Sequence, residues 1–211
     1  MGVCSVSTIK SIFLSGEIWP YLIPALILVA YAVYKLVAGD GADKNPVAAL
    51  LATLPKDEYT VLSDIMIRSY TGASHIDHIV ISTHGVFVIH AQKYHGEIAG
   101  KDTDQYWTWS QGKEKHRFFN PIRQNYSHIK ALETALEAAG KVPLISVVVF
   151  PRDCSFKSKP LGVLHYDELL AKIQSYSKNA LTRTQTEVIA AILERANISS
   201  PEERKHYAGL G

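Results

Sequence analysis

Two neighbouring apolar runs carry side chains that can do chemistry. In Ser74 to Ser82, SHIDHIVIS, Asp77 is a carboxylate inside a strand-like stretch. In Gly85 to Gly96, GVFVIHAQKYHG, the run Val86-Phe87-Val88-Ile89 gives way to His90, Ala91 and Gln92 before a glycine. Side chains of a strand alternate faces. Val86, Val88, His90 and Gln92 therefore share one face, and Phe87, Ile89, Ala91 and Lys93 the other. A carboxylate in an apolar strand is costly unless it is paired, hydrogen-bonded or metal-bound. Two adjacent strands that present an acid and then polar groups at one end are suited to a metal-dependent nuclease site. Asp77 and His90 are the candidate metal ligands. Imidazole favours Mn, Zn or Fe over Mg, which takes hard oxygens. Gln92 can position a water, but it brings no positive charge to a phosphorane-like transition state. The plainer alternative is a decayed site, in which His90 and Gln92 fill space and satisfy hydrogen bonds.

Other residues compete for a place in such a site. Five histidines lie between His75 and His95. A set of His75, Asp77 and His90 is conceivable, although the spacing matches no metal signature. Glu97 or Asp64 could add a carboxylate if the fold brings either close. Gln124 lies one helical turn from Asn120 and from His128. Lys113, Lys115, Arg117, Arg123 and Lys130 could form a phosphate-contacting rim. Trp107 and Trp109 alternate onto one face, where they either stack bases or sit in the core.

These residues need elements to hold them. A short apolar helix over Pro46 to Leu54 stops at Pro55. Tyr59 to Leu62 and Ile65 to Ile67 read as edge strands. Ile76 to Ile81 and Val86 to Ala91 form a hairpin around Ser82-Thr83-His84-Gly85. Ile98 to Gly100 and Tyr106 to Trp109 are further short strands. Asn120 caps a helix with Pro121 at its first position. Ile122, Tyr126, Ile129, Leu132 and Leu136 recur at helical spacing and predict its buried stripe. Leu144 to Phe150, LISVVVF, reads as a strand buried on both faces. A strand over Leu161 to His165 and a helix over Asp167 to Tyr176 follow. Capping boxes at Thr184-x-x-Glu187 and Ser200-Pro-Glu-Glu203 predict helices opening near Gln185 and Pro201.

The remainder of the chain sets the context. Of its 211 residues, Ile18 to Val37 form an apolar run broken only by Lys35. About 20 such residues match the hydrocarbon core of a bilayer. The expected organisation is a tail over 1–17, a transmembrane helix over 18–38 and a linker over 39–45. A soluble domain over 46–180 and a C-terminal helical extension over 181–211 complete it. A cleaved leader ending near Val37-Ala38-Gly39 is the alternative. Formal net charge is +2, so no global field calls for a polyanion. The soluble part holds one thiol, Cys154, which favours a reducing compartment, and the domain is expected on the cytoplasmic side.

The stretch Asp57 to Leu136 resembles the nuclease-related domain (NERD) family, a relative of the PD-(D/E)xK nucleases. The residues that carry the resemblance are DEYTVLSDI, HIDHIVISTHGVFVI, YHGEIAG, YWTW and FFNPIRQNYSHIKAL. It implies an α/β fold of the PD-(D/E)xK, restriction-endonuclease-like kind, a mixed sheet flanked by helices. It also implies a site faced by Asp77, His90, Gln92 and Gln124, a divalent metal such as Mg or Mn, and DNA as partner. The family pattern after the second strand is an acid, any residue, then lysine. Here His90, Ala91 and Gln92 stand in those positions. The usual Gly-Glu pair before the first strand is replaced by Asp43-Lys44-Asn45-Pro46. The expectation is a membrane-anchored protein that binds or processes nucleic acid with a degenerate catalytic site. The alternatives are an active metal-dependent endonuclease using Asp77 and His90, and a non-enzymatic protein-interaction module.

Overall fold

A computed structural model describes residues 46–70 and 72–208. The expected tail, transmembrane helix and linker lie outside the described residues. No helix among the described residues is long and apolar enough to cross a membrane.

Two mixed sheets form the framework. The larger has the order β1 (Thr60–Ser69), β2 (Gly72–Ser82), β3 (Gly85–Ala91), β7 (Leu144–Phe150), β9 (Val163–His165). β1, β2 and β3 run antiparallel, as short hairpin loops require, while β7 and β9 join parallel after crossovers. The smaller has the order β6 (Glu114–Phe119), β5 (Tyr106–Gln111), β4 (Gly96–Ala99), β8 (Cys154–Phe156). Only its β4–β8 pair is parallel.

Helices cover both faces of the larger sheet. On one face, α2 (Pro121–Ala135) and α4 (Arg183–Ala196) bring Ile129, Leu132, Ile189 and Leu193 onto Ile79, Ile81, Val86 and Val88. On the other, α1 (Pro46–Leu51) and α3 (Leu169–Gln174) bring Val47, Leu51, Leu169 and Ile173 onto Val80, Phe87, Ile89, Val147 and Val149. β7 is thus an interior strand apolar on both sides, as its unbroken run predicts. A third cluster joins the sheets. Ile98, Trp107 and Cys154 of the smaller pack with Val148, Phe150 and Val163 of the larger. Gly100 abuts Trp107 so closely that an added Cβ would lie 2.2 Å from the indole Cδ1.

Several local expectations need correction. Tyr59 to Leu62 and Ile65 to Ile67 belong to one strand, not two. α4 is capped by Thr182 rather than Thr184: the Thr182 hydroxyl accepts from the Gln185 amide, and Gln185 returns the bond. The opening is one turn-fraction earlier because Leu181, Ile189 and Leu193 must all reach the core. The stripe of α2 is also rotated. Tyr126 is 58% exposed, while Asn125 and His128 are buried. α5 (Pro201–Ala208) opens after Ser200 as predicted. The segment that leads into it lies along β1. The Met66 amide donates to Asn197 Oδ1 at 3.0 Å, and its carbonyl accepts from the Ile198 amide at 2.7 Å. Arg204 then clips to Asp64, and Glu203 to Arg68.

Candidate functional site

The site begins at a change of phase shared by β1 and β2. Leu62 and Ile65 both pack on the α2 side, although three apart in sequence, and so do Ile76 and Ile79. Asp64 stands between the first pair with φ of 55°, the one positive value at a non-glycine among the described residues. The register Ser63–His78 and Ile65–Ile76 is kept across the break. Strict alternation puts Ser74 and Asp77 on opposite faces. The phase change turns both toward α2, and this was hidden in the sequence because Asp64 looks like an ordinary surface acid.

Asp77 sits one step beyond the His78–Ile89 pair of β2 and β3, which brings it to His90. Its Oδ2 accepts from the His90 ring Nδ1 at 2.9 Å and from the Ala91 amide at 2.8 Å. Gln92 reaches back to the other ring nitrogen, Nε2, at 2.7 Å. Asp77, His90 and Gln92 therefore form one hydrogen-bonded chain. With the ring neutral, Nδ1–H donates to the carboxylate and Nε2 accepts from the Gln92 amide. Burial pushes the Asp77 carboxyl up, but the bonds from His90 and Ala91 outweigh it and hold the group below its ordinary value. Tyr166 fixes the exit of β3 by donating its hydroxyl to the Gln92 carbonyl.

α2 supplies the opposite wall. Asn120 caps it through the Ile122 amide and ties its own amide group to the Lys101, Asp102 and Asp104 carbonyls. One turn on, the buried Asn125 donates to Val88 O at 2.9 Å and to Ser146 Oγ at 2.8 Å. That docks the helix across β3 and β7. His128 follows, 7% exposed, with Nδ1 2.7 Å from Ser74 Oγ and its ring 5.4 Å from that of His90. Its Nε2 is buried without a hydrogen-bond partner. Burial, beside the His90 ring, pushes its pKa down to about 4. Sequence reading missed Ser74, Asn125 and His128. Only the helical offset of Asn125 and His128 from the predicted stripe could have marked them.

Between these walls lies an open groove of about 1150 Å³. Asp77, His90 and His128 line it, and Gln124 faces it from α2. Gln92 touches the groove only through His90. Around it stand Arg68, Tyr70, His75, Tyr126 and Lys130. Tyr70 is 99% exposed. The two cations carry acids of their own, Arg68 with Glu203 and Lys130 with Glu133, and His75 bonds Asp64, all within 2.7 Å.

Other expected participants lie elsewhere. Asp64 is held by His75 and Arg204, and Glu97 by Lys157, so neither adds a carboxylate beside Asp77. His75 faces Asp64 rather than joining Asp77 and His90. His78 bonds Ser63, and His95 bonds Asp153. Arg123 donates to the Thr103 carbonyl, so of the five predicted rim residues only Lys130 lines the groove. Trp107 is core, and Trp109 donates to the His95 carbonyl while stacking on His116.

The resemblance seen in the sequence implies a divalent metal, and the donors here do not fit one as they stand. Asp77 contributes one carboxylate, whose Oδ2 already accepts two bonds, and both His90 nitrogens are engaged. Mg demands near-octahedral oxygen ligands. No group of three or more His, Cys, Asp or Glu among the described residues is placed to hold a metal.

The family model for the nuclease-related domain matches residues 41–151 of this chain. The chain belongs to the nuclease-related domain family. It is 37% identical over 176 residues to an uncharacterized protein of Bacillus anthracis, covering 80% of this chain and 82% of the relative. No solved structure matches. The nuclease-related match ends at the close of β7, so it covers β2, β3 and α2 and with them the whole Asp77–His90–Gln92 chain.

Proposed function

We propose that this nuclease-related domain protein binds DNA in the groove between β2, β3 and α2, with a degenerate hydrolytic centre. On this reading the domain has restriction-endonuclease-like PD-(D/E)xK architecture. Residues 18–38 anchor it in a membrane as a single-pass helix, and the domain faces the cytoplasm.

The observation that carries the reading is the closed Asp77–His90–Gln92 chain. Where the family pattern puts an acid and a lysine, this chain has groups that satisfy one another. Gln92, in the lysine's place, brings no positive charge to meet that developing on phosphorus. Loss of one such stabilising group costs about two to three orders of magnitude in rate, and here two are changed together. Binding does not need them. Tyr70 and Tyr126 offer faces on which bases stack, a sequence-tolerant interaction. Arg68 and Lys130 sit in exposed ion pairs. Such pairs are worth roughly 0–1 kcal/mol, so a phosphate can displace their acids.

The test uses the full chain in detergent micelles, with fluorescent DNA for binding and supercoiled plasmid with Mg or Mn for cleavage. The expected result is salt-dependent binding, weakened about tenfold by Tyr126→Ala combined with Lys130→Gln. Cleavage should stay near the blank and rise in the His90→Glu, Gln92→Lys double variant. Robust cutting that disappears in Asp77→Ala would establish the endonuclease alternative instead. Absence of any DNA binding would leave the protein-interaction reading.

A further inference from the structure

The outer face of the smaller sheet is a second, chemically distinct surface. Register fixes its composition. Tyr106 lies opposite Phe119, Thr108 opposite Arg117 and Ser110 opposite Lys115. Glu97 lies opposite Ser110 and Ser155. The alternate residues Ile98, Trp107, Phe118 and Phe156 point inward to the cluster between the sheets. Tyr106 and Phe119 point away from it and are 45% and 42% exposed. These aromatic residues have no core to fill.

Their surroundings are cationic. Arg117 lies over the Tyr106 ring, 4.9 Å from its centre, and Lys115 is exposed on the same strand. Lys157 extends from the end of β8 and pairs with Glu97, the acid of this face, at 3.2 Å. Three cations thus face one carboxylate. Tyr106 and Phe119 meet edge to face at 5.9 Å, and a base stacking on the Tyr106 face would take the place of the exposed Arg117 side chain. The hydroxyls of Thr108 and Ser110 lie in the row between the aromatic pair and Lys115.

We infer that this face binds single-stranded RNA, with bases stacked on Tyr106 and Phe119 and phosphates on Lys115, Arg117 and Lys157. The occupant follows from the chemistry. Exposed aromatic residues on neighbouring strands stack unpaired bases, which a duplex keeps inside. The cation excess is complementary to a phosphate backbone. The hydroxyl row can pair with ribose 2′-hydroxyls, the groups that tell RNA from DNA. The inference does not rest on the groove of Asp77 and His90, whose residues lie on other strands.

The experiment measures fluorescence anisotropy of a labelled oligouridylate with the full chain in detergent, as a function of salt. Oligothymidylate and an RNA duplex are run beside it, all in the Tyr126→Ala, Lys130→Gln background that weakens the groove. The expected result is binding of oligouridylate in preference to both. Phe119→Ala and Tyr106→Ala should each weaken it about tenfold, and Phe119→Tyr should restore it. Lys115→Gln with Arg117→Gln should lower the slope of log affinity against log salt by about 1.4. Equal binding of oligothymidylate, or no loss in the aromatic variants, would overturn the inference.

Discussion

His128 is a buried imidazole that stays neutral because a charge there would be desolvated beside His90. Its pKa falls from 6.5 to about 4. Between those values the unfolded chain binds a proton that the folded chain does not. Stability contributed by this group is therefore complete above pH 6.5, falls as pH drops toward 4, and falls no further below that. The loss is about 3 kcal/mol at most. Asp77 acts in a separate window. Its carboxyl is held below 3.8, so its contribution is lost only as pH falls below that value. Urea unfolding followed from pH 7 down to about pH 2 should show a decline between 6.5 and 4 that flattens in His128→Leu, while the decline below 3.8 persists. A slope unchanged by His128→Leu would mean the imidazole is not the titrating group.

At the scale of elements, the hairpin of β2 and β3, the interior β7 and the capped α2 were legible because each obeys one rule: alternation, an unbroken β-branched run, or an Asn-Pro start. The convergence of Asp77, His90 and Gln92 was legible for the same reason, since β3 alternates without interruption. What could not be read was the phase change at Asp64. A left-handed residue looks like any other acid until its neighbours' burial is known, so Ser74 was not placed beside α2. The stripe of α2 failed for a related reason. Counting apolar residues chose Tyr126, whereas packing chose Asn125, whose amide reaches Val88 and Ser146. A polar residue that holds two strands together is invisible to hydrophobic periodicity. The approach of β4 to β5 gives a prediction at this scale. Gly100→Ala places a methyl against the Trp107 ring, so the indole or the backbone must shift. The expected cost is about 1–3 kcal/mol, read by denaturation and by a change in Trp fluorescence. A neutral Gly100→Ala would show that Trp107 can rotate away freely.

For the whole molecule, the strongest expectation concerns residues 18–38. About 20 apolar residues are long enough to span a bilayer. The full chain should sediment with membranes, resist alkaline and high-salt extraction, and require detergent. A chain beginning at Lys44 should be soluble and keep its fold, because the apolar clusters begin with Val47. Purification of the intact full chain as a detergent-free monomer would refute the anchor. A mature species beginning near Asp40 would indicate leader removal and a domain outside the cytoplasm.

The bonds of Met66 to Asn197 and Ile198 have a consequence for self-association. β1 is an outer strand of the larger sheet, and its Ile65-Met66-Ile67 run is rich in β-forming residues. An open edge of that kind is a template for a strand from another copy. Asn197 and Ile198 occupy both outward groups of Met66, and the Arg204–Asp64 and Glu203–Arg68 pairs keep them there. The C-terminal segment is thus a guard on the sheet edge. Cutting the chain after Ala196 should leave most of the core in place and yield species whose size grows with concentration in light scattering. The same cut in a chain carrying Met66→Pro, which cannot offer the amide, should scatter less.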